Sequence, residues 1–307
     1  MKISFFLFSL LHPLLAMLLA PLLLGIINKT KAFYAGRTGQ PLLQAYWDIG
    51  KLLGKGAVYS RSTTLLFRLS PSLILASMIT ALFLMPSGGL LSPLAFSGDL
   101  ILFAYLLGLA RFFTVTAALD TGSAFEGMGA SREVLFSALA EPALFLSLAA
   151  LAGLTHTYSL SAVYFGLNIE VWKTAFPALL LLVAALFVVF LAENSRIPVD
   201  DPNTHLELTM IHEVMVLDHS GPDFAFIQYA ASLKLWLLGS MIVGILVPLR
   251  GAGFWLEEIL FRLGMGLLAV LVGYVESSRA RLFLPRVPKF IGSAAVLAAL
   301  ALLLVLR

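Results

Sequence analysis

The stretch TAFPALLLLVAALFVVFLAENSRIPVDDPNTHLELTMIHEVMVLDHSGPD, residues 174–223, passes from one solvent regime to another near Ala192. Residues 174–192 carry no charge and are long enough, at about 1.5 Å per residue, to cross the roughly 30 Å hydrocarbon core of a bilayer. From Glu193 onward the same chain is dense in acids, histidines and prolines. Seven more apolar stretches lie on either side, at about 4–27, 70–86, 98–119, 132–153, 225–249, 254–276 and 289–306. The expected fold is therefore all-α and polytopic, one membrane domain over 1–307 with eight transmembrane helices.

Composition leads to the same place. Of 307 residues, 60% are hydrophobic and 12% charged, where a soluble domain has about 25% charged. Mean hydropathy is +0.97. Too little polar surface is available to cover a soluble globule, so soluble enzymes and disordered chains are excluded. The first apolar run is too long for a secretory signal, follows a single Lys2 and lacks a small-residue cleavage site, so it reads as a retained span. Pro71, just inside the second span, reads as a first-turn proline. The chain has no cysteine, which excludes disulfides, thiolate zinc and an iron–sulfur cluster of its own. No metal or other cofactor is expected on this chain.

The net charge of +3 matters less than its placement, and no nucleic-acid partner is implied. Thirteen of the twenty Lys and Arg fall in the segments 28–69, 120–131, 193–224 and 277–288 or at their edges. Four fall on the other side (Lys2, Lys173, Arg250, Arg307), and three lie within spans. The positive-inside rule then puts both termini outside and these four segments in the cytoplasm of a cell (inner) membrane.

Charged groups inside spans are costly and are functional candidates by default. Glu141 sits mid-span before Pro142, which removes a backbone donor and could kink the helix. It suits proton exchange, or it is a neutral acid hydrogen-bonded to a neighbouring helix. Arg111 and Lys234 each need a carboxylate or a wet cavity; Glu141, Glu193, Glu207, Glu213 and Glu276 are the acids available. Glu276 either ends a proton path or accompanies Arg279 and Arg281. Arg262 is explained by Glu258 four residues earlier.

Within 192–224, Pro198 and Pro202 bracket a turn at Asp200 and Asp201. Thr204 and Glu207 have the spacing of a capping box. His205, His212 and His219 are seven apart; on one continuous helix they would share a face at about 10.5 Å intervals. Zinc–nitrogen bonds are only about 2.0–2.1 Å, so consecutive members cannot share a metal there. His205 and His212 remain relay candidates, given water or Glu213 between them, and His219 belongs to a helix end.

Glu193-x-x-Arg196-x-Pro198-x-Asp200 followed by Glu207 resembles the fifth-to-sixth-span cytoplasmic loop of respiratory complex I membrane subunit 1. GRTGQPLLQAYWDIGKLL at 36–53, with Gly36, Arg37, Gly39, Pro41, Gln44, Asp48 and Lys51, is similar to that family's first cytoplasmic loop, although Gln40 replaces a common proline. ALDTGSAFEGMGASRE at 118–133, after Arg111-Phe112-Phe113, is a third match. Asn203 and His205 stand where quinone-reducing members carry glutamates. That version is similar to the membrane subunit of energy-converting group 4 nickel–iron ([NiFe]) hydrogenases, the formate hydrogenlyase and membrane-bound hydrogenase types.

The resemblance implies a non-catalytic subunit of an ion-translocating oxidoreductase complex. Its partners would be hydrogenase large and small subunits carrying a [NiFe] centre and iron–sulfur clusters, antiporter-like membrane subunits, and the lipid bilayer. Ion coupling would run through Arg111, Glu141, Glu193, Asp200, Glu207, His212, Glu213, Lys234 and Glu276. Docking would use Arg37, Gln44, Asp48, Lys51, Asp120, Glu126, Arg132, Arg196 and Asp201. The alternatives are a quinone-chamber subunit of a complex I-type oxidoreductase and a stand-alone ion transporter.

Overall fold

A computed structural model describes residues 9–200, 211–248 and 253–307. Asp201, His205 and Glu207 lie outside the described residues. Among the described residues, eight helices are long and apolar enough to cross a membrane. In chain order the helices are α1 (Leu11–Tyr34), α2 (Gln44–Leu53), α3 (Leu65–Leu84), α4 (Asp99–Asp120), α5 (Ala124–Thr155) and α6 (Leu160–Gly166). They continue with α7 (Ile169–Glu193), α8 (Gly221–Leu246), α9 (Phe254–Ser278) and α10 (Val287–Leu306). Short 3-10 turns occur at Glu213–Val216 and Leu284–Arg286. All but α2 and α6 are the spans, as the backbone in lipid must satisfy its own polar groups.

α8 is the hub. It packs on α1, α3, α7 and α9, and Trp236, Leu237 and Met241 on it are fully buried. Apolar burial drives no association between helices in lipid, so close approach through small residues does more. Gly244 illustrates this: a Cβ there would lie 2.7 Å from the Tyr164 ring of α6, whose hydroxyl donates to the Met241 carbonyl at 3.1 Å.

The connections separate into two layers. On one face, Thr64 donates to Asp120 (N to Oδ2, 2.7 Å), Val58 N donates to Ser220 Oγ (3.1 Å), Asp218 N donates to Glu126 (3.1 Å), and Leu282 N donates to the Pro198 carbonyl (2.9 Å). On the other, Asp99 accepts from Leu160 N (2.6 Å), Ser159 Oγ (2.9 Å) and Phe96 N (3.2 Å), and Ser92 meets Ser161. Asp99 is fully buried, and two of its donors, Leu160 N and Ser159 Oγ, hold the start of α6 against α4.

Several sequence expectations shift. α3 begins at Leu65, so Pro71 is in the helix interior and not in its first turn. α5 begins at Ala124, so Glu126 and Arg132 stand on a helix and not in a 120–131 loop. α5 runs through Pro142 with no break in helical backbone, whereas α7 is broken at Ala175 just before Pro177. Residues 213–216 form a 3-10 turn and α8 starts only at Gly221, so His212 and His219 do not share a helical face.

The segment after α1 folds back on it. A Cβ at Gly25 would sit 2.0 Å from the Leu42 carbonyl oxygen, so only glycine admits this approach. Lys29 donates to the Thr38 carbonyl at 2.7 Å, and Tyr46 donates to the Leu18 carbonyl. α2, which has no fully buried residue, is thereby held along the flank of the bundle.

Candidate functional site

Three helices meet at Arg111 of α4, and a fourth, α8, joins through Glu193. Its Nη1 lies 2.5 Å from Glu141 Oε1, its Nη2 pairs with Glu193 of α7, and its Nε is 3.5 Å from Glu133 Oε1. Glu193 also takes Lys234 of α8 at 2.8 Å. A planar guanidinium presents five donors spread over a rigid fork, so it reaches separated carboxylates that the compact ammonium of a lysine would not span. Glu193 is 8% exposed and Glu133 6% exposed, so these charges are buried in pairs, as burial requires.

The cluster continues to the loop layer through Glu133. His212 Nε2 is 3.2 Å from Glu133 Oε2 and its Nδ1 is 3.8 Å from Asp200 Oδ2, distances of ion pairs rather than of aligned hydrogen bonds. Asp200, 3% exposed, takes Arg281 at 2.9 Å. A continuous series of charged groups thus runs Arg281–Asp200–His212–Glu133–Arg111–Glu193–Lys234, with Glu141 branching from Arg111. Glu141 differs from the others: its side chain, at mid-span of α5, is 46% exposed.

Glu276 lies beside this series. It meets Lys31 at 2.8 Å and Arg196 at 3.4 Å, joining α1, α9 and the loop after α7. Its partners are not the Arg279 and Arg281 cluster that lies near it in sequence; Arg281 goes to Asp200. Arg262 pairs with Glu258, as the i,i+4 spacing predicts.

A cavity of about 690 Å³ opens along this cluster. Arg111, Glu133, Glu193, His212, Glu213 and Lys234 form its polar end, while Leu24, Ile74, Met78 and Leu107 are among its apolar lining. Gln44 and Asp48 of α2, bonded to each other at 2.8 Å, also line it. Of the residues expected to dock a partner, Arg37 and Lys51 are exposed, Arg196 and Glu126 are buried, and Asp120 caps the start of α3 through Thr64.

Two members were not among the expected coupling residues. Glu133 is the bridge between Arg111 and His212; its signal was the spacing of Glu126, Glu133 and Glu141, seven and eight apart and so on one helical face. Lys31 read as a loop cation, because α1 continues to Tyr34, past the expected end of the first span.

Burial alone would lower the His212 pKa, but the Glu133 and Asp200 carboxylates outweigh both that and the charge of Lys234, leaving it raised. His219, stacked on Phe67 at 3.9 Å, is lowered by burial to about 4 and stays neutral near pH 7. For His212 the folded-state pKa lies above the unfolded one. Its contribution is complete below about pH 6.5 and is lost as pH rises through the raised value. We therefore expect proteolysis of the 194–220 segment to speed up as pH rises above neutrality, and His212→Gln to flatten that dependence. A wild-type profile with no rise would refute this.

The arrangement invites comparison with known proteins. The family model described as NADH dehydrogenase matches residues 7–307. The chain belongs to the NADH dehydrogenase family of complex I membrane subunits. Within that family, it is 35% identical to hydrogenase-4 component C of Escherichia coli (strain K12) over 284 residues, 91% of this chain and 87% of that protein. It is 34% identical to formate hydrogenlyase subunit 4 of the same organism over 300 residues, 92% of this chain and 94% of the relative. The fold also matches a chain of the membrane-bound sulfane sulfur reductase, an archaeal respiratory membrane complex. That match has a TM-score of 0.82 at 22% identity and covers 98% of this chain and 99% of the other. The NADH dehydrogenase-family fold therefore extends over the whole described chain, Arg111 cluster included.

Proposed function

We propose that this chain is the membrane subunit of a multisubunit energy-converting nickel–iron hydrogenase, which anchors the redox arm and couples H2 evolution to proton or sodium movement across the cell's inner membrane. The observation that carries this reading is the unbroken series of charged groups from Asp200, in the loop layer, to the half-exposed Glu141 at mid-span. The relatives named above, which belong to hydrogenase systems, support it. The redox metals, a nickel–iron centre and iron–sulfur clusters, are assigned to the partner subunits, which dock on the loop layer.

A change of protonation or position near Asp200 alters its pairing with His212 and Arg281, and hence the pairing of Glu133 with Arg111. Arg111 is shared, so its balance between Glu133, Glu193 and Glu141 shifts in turn. Such a shift moves an equilibrium only through the difference in interaction energy between two states. Glu141 is then the handover point to an adjacent membrane subunit, because a half-exposed carboxylate at mid-span is stable only against a polar neighbour.

The identity of co-purifying subunits, together with H2 evolution by the purified complex, tests this. A partner with nickel-ligating cysteine pairs and activity without added quinone are expected; active, stable protein purified alone would sink the proposal. The cavity favours one second reading. At about 690 Å³, apolar along its walls and polar at its end, it has room for a quinone, so retained quinone and block by quinone-site inhibitors would favour the quinone-chamber role. Replacing Asp200 with Asn leaves Arg281 without its carboxylate charge and weakens His212 pairing; ion movement per H2 should fall about threefold or more. Full coupling in an assembled mutant would remove Asp200 from the path.

A further inference from the structure

On the face opposite the loop layer, α1 brings His12 against α9. The His12 and Phe261 rings meet edge-on with centroids 6.0 Å apart, and Arg262 is near enough for its charge to bear on the imidazole. Arg262 pairs with Glu258, which also accepts from Ser87 Oγ at 3.2 Å. His12 is 1% exposed, yet neither ring nitrogen has a hydrogen-bond partner; Arg262 Nη2 is buried without one too. A neutral imidazole offers one donor and one acceptor, while a guanidinium only donates. One water, accepting from Arg262 Nη2 and donating to the acceptor nitrogen of His12, gives each a partner, the ring N–H needs a second, and buried waters typically bridge such groups. Gly88 packs closely on this site: a Cβ there would lie 2.6 Å from Glu258 Oε1.

Below the site the packing is apolar. Met265, one helical turn in from Arg262, closes on Gly239 of α8, where a Cβ would lie 3.1 Å from Met265 Cε and 3.3 Å from Leu268 Cδ2. The void at this contact is about 10 Å³ and lined by apolar side chains and glycine. That is at the lower limit for one water and offers it no polar partner, so it stays empty. Leu235 lines both this void and the large cavity, whose wall also holds Lys234. Lys234 stands five residues before Gly239 and Arg262 three before Met265. At 1.5 Å per residue the two cations are separated by only about 12 Å of helix rise, in a core of roughly 30 Å.

We propose that His12, Arg262 and Glu258 hold ordered water in an inlet from the face opposite the loop layer, and that the Gly239–Met265 contact is the apolar seal between this inlet and the large cavity. Opening the seal joins two hydrated regions into a transmembrane proton path within this one chain. The claim does not depend on the hydrogenase reading, since passive leak needs no redox turnover.

The test is the decay of an imposed pH gradient across vesicles holding the assembled complex at rest. Met265→Ser is expected to speed the decay at least tenfold, and adding His12→Leu to slow it again at least threefold. Tight vesicles with an assembled Met265→Ser complex would overturn the seal. A leak that His12→Leu leaves unchanged would overturn the inlet. Should Met265→Ser not assemble, a cryo-EM map of the unaltered complex decides the water site: density between His12 and Arg262 supports it, and its absence where other buried waters are resolved overturns it.

Discussion

Arg111→Leu lowers the yield of assembled complex several-fold and abolishes ion movement in what remains. Among the described residues, only Arg111 touches Glu133, Glu141 and Glu193 together. Removing one partner of a buried ion pair costs about 3–5 kcal/mol, because the remaining charge is stranded. Here Glu133 and Glu193 would be left with His212 and Lys234 alone. Arg111→Lys keeps the charge but not the fork, so it should restore assembly better than it restores transport. Yield on native gels and acidification of vesicles are the readouts. Normal yield with normal transport in Arg111→Leu would mean that the cluster is dispensable.

Glu141→Gln is expected to separate transport from assembly. Its side chain is 46% exposed, so losing the charge strands little, and Arg111 keeps two other carboxylates. Assembly should therefore hold while translocation drops about tenfold, with Glu141→Asp intermediate. An assembled Glu141→Gln complex that pumps at the unaltered rate would reduce Glu141 to an ion-pair partner. The two substitutions thus discriminate by burial: the deep member controls folding and transport together, the half-exposed one transport alone.

The spans were legible because an apolar run of sufficient length has few fates other than crossing a membrane. Their ends were less so. Residues 124–131 read as a loop because Glu126 and Gly127 interrupt the apolar pattern, yet α5 turns Glu126 inward to accept from Asp218 N. Arg68 similarly hid the first turns of α3. The residues of the charged cluster were mostly visible as misplaced charges in spans, and Arg111, Glu141, Glu193 and Lys234 do meet. Their pairing was not visible, since it depends on how helices far apart in sequence rotate against one another. Glu276 shows the difficulty: nearby Arg279 and Arg281 were the natural candidates, but Lys31, 245 positions away, is the contact. The His205–His212–His219 spacing misled for the opposite reason, as regular spacing carries no geometry where the backbone is not a helix.

The Val58–Ser220 hydrogen bond also bears on how the molecule is made. Its partners are 162 positions apart, and close by a Cβ at Gly221 would lie 2.6 Å from the Gly56 carbonyl oxygen. At a synthesis rate of roughly 5–20 residues per second, the first hydrophilic loop waits on the order of 10–30 s for the segment that secures it. Throughout that interval the backbone N–H of Val58 lacks the Ser220 hydroxyl that later accepts from it. Biogenesis of this chain therefore has a built-in waiting period, and it ends only when Ser220, at the head of the sixth span, has left the ribosome.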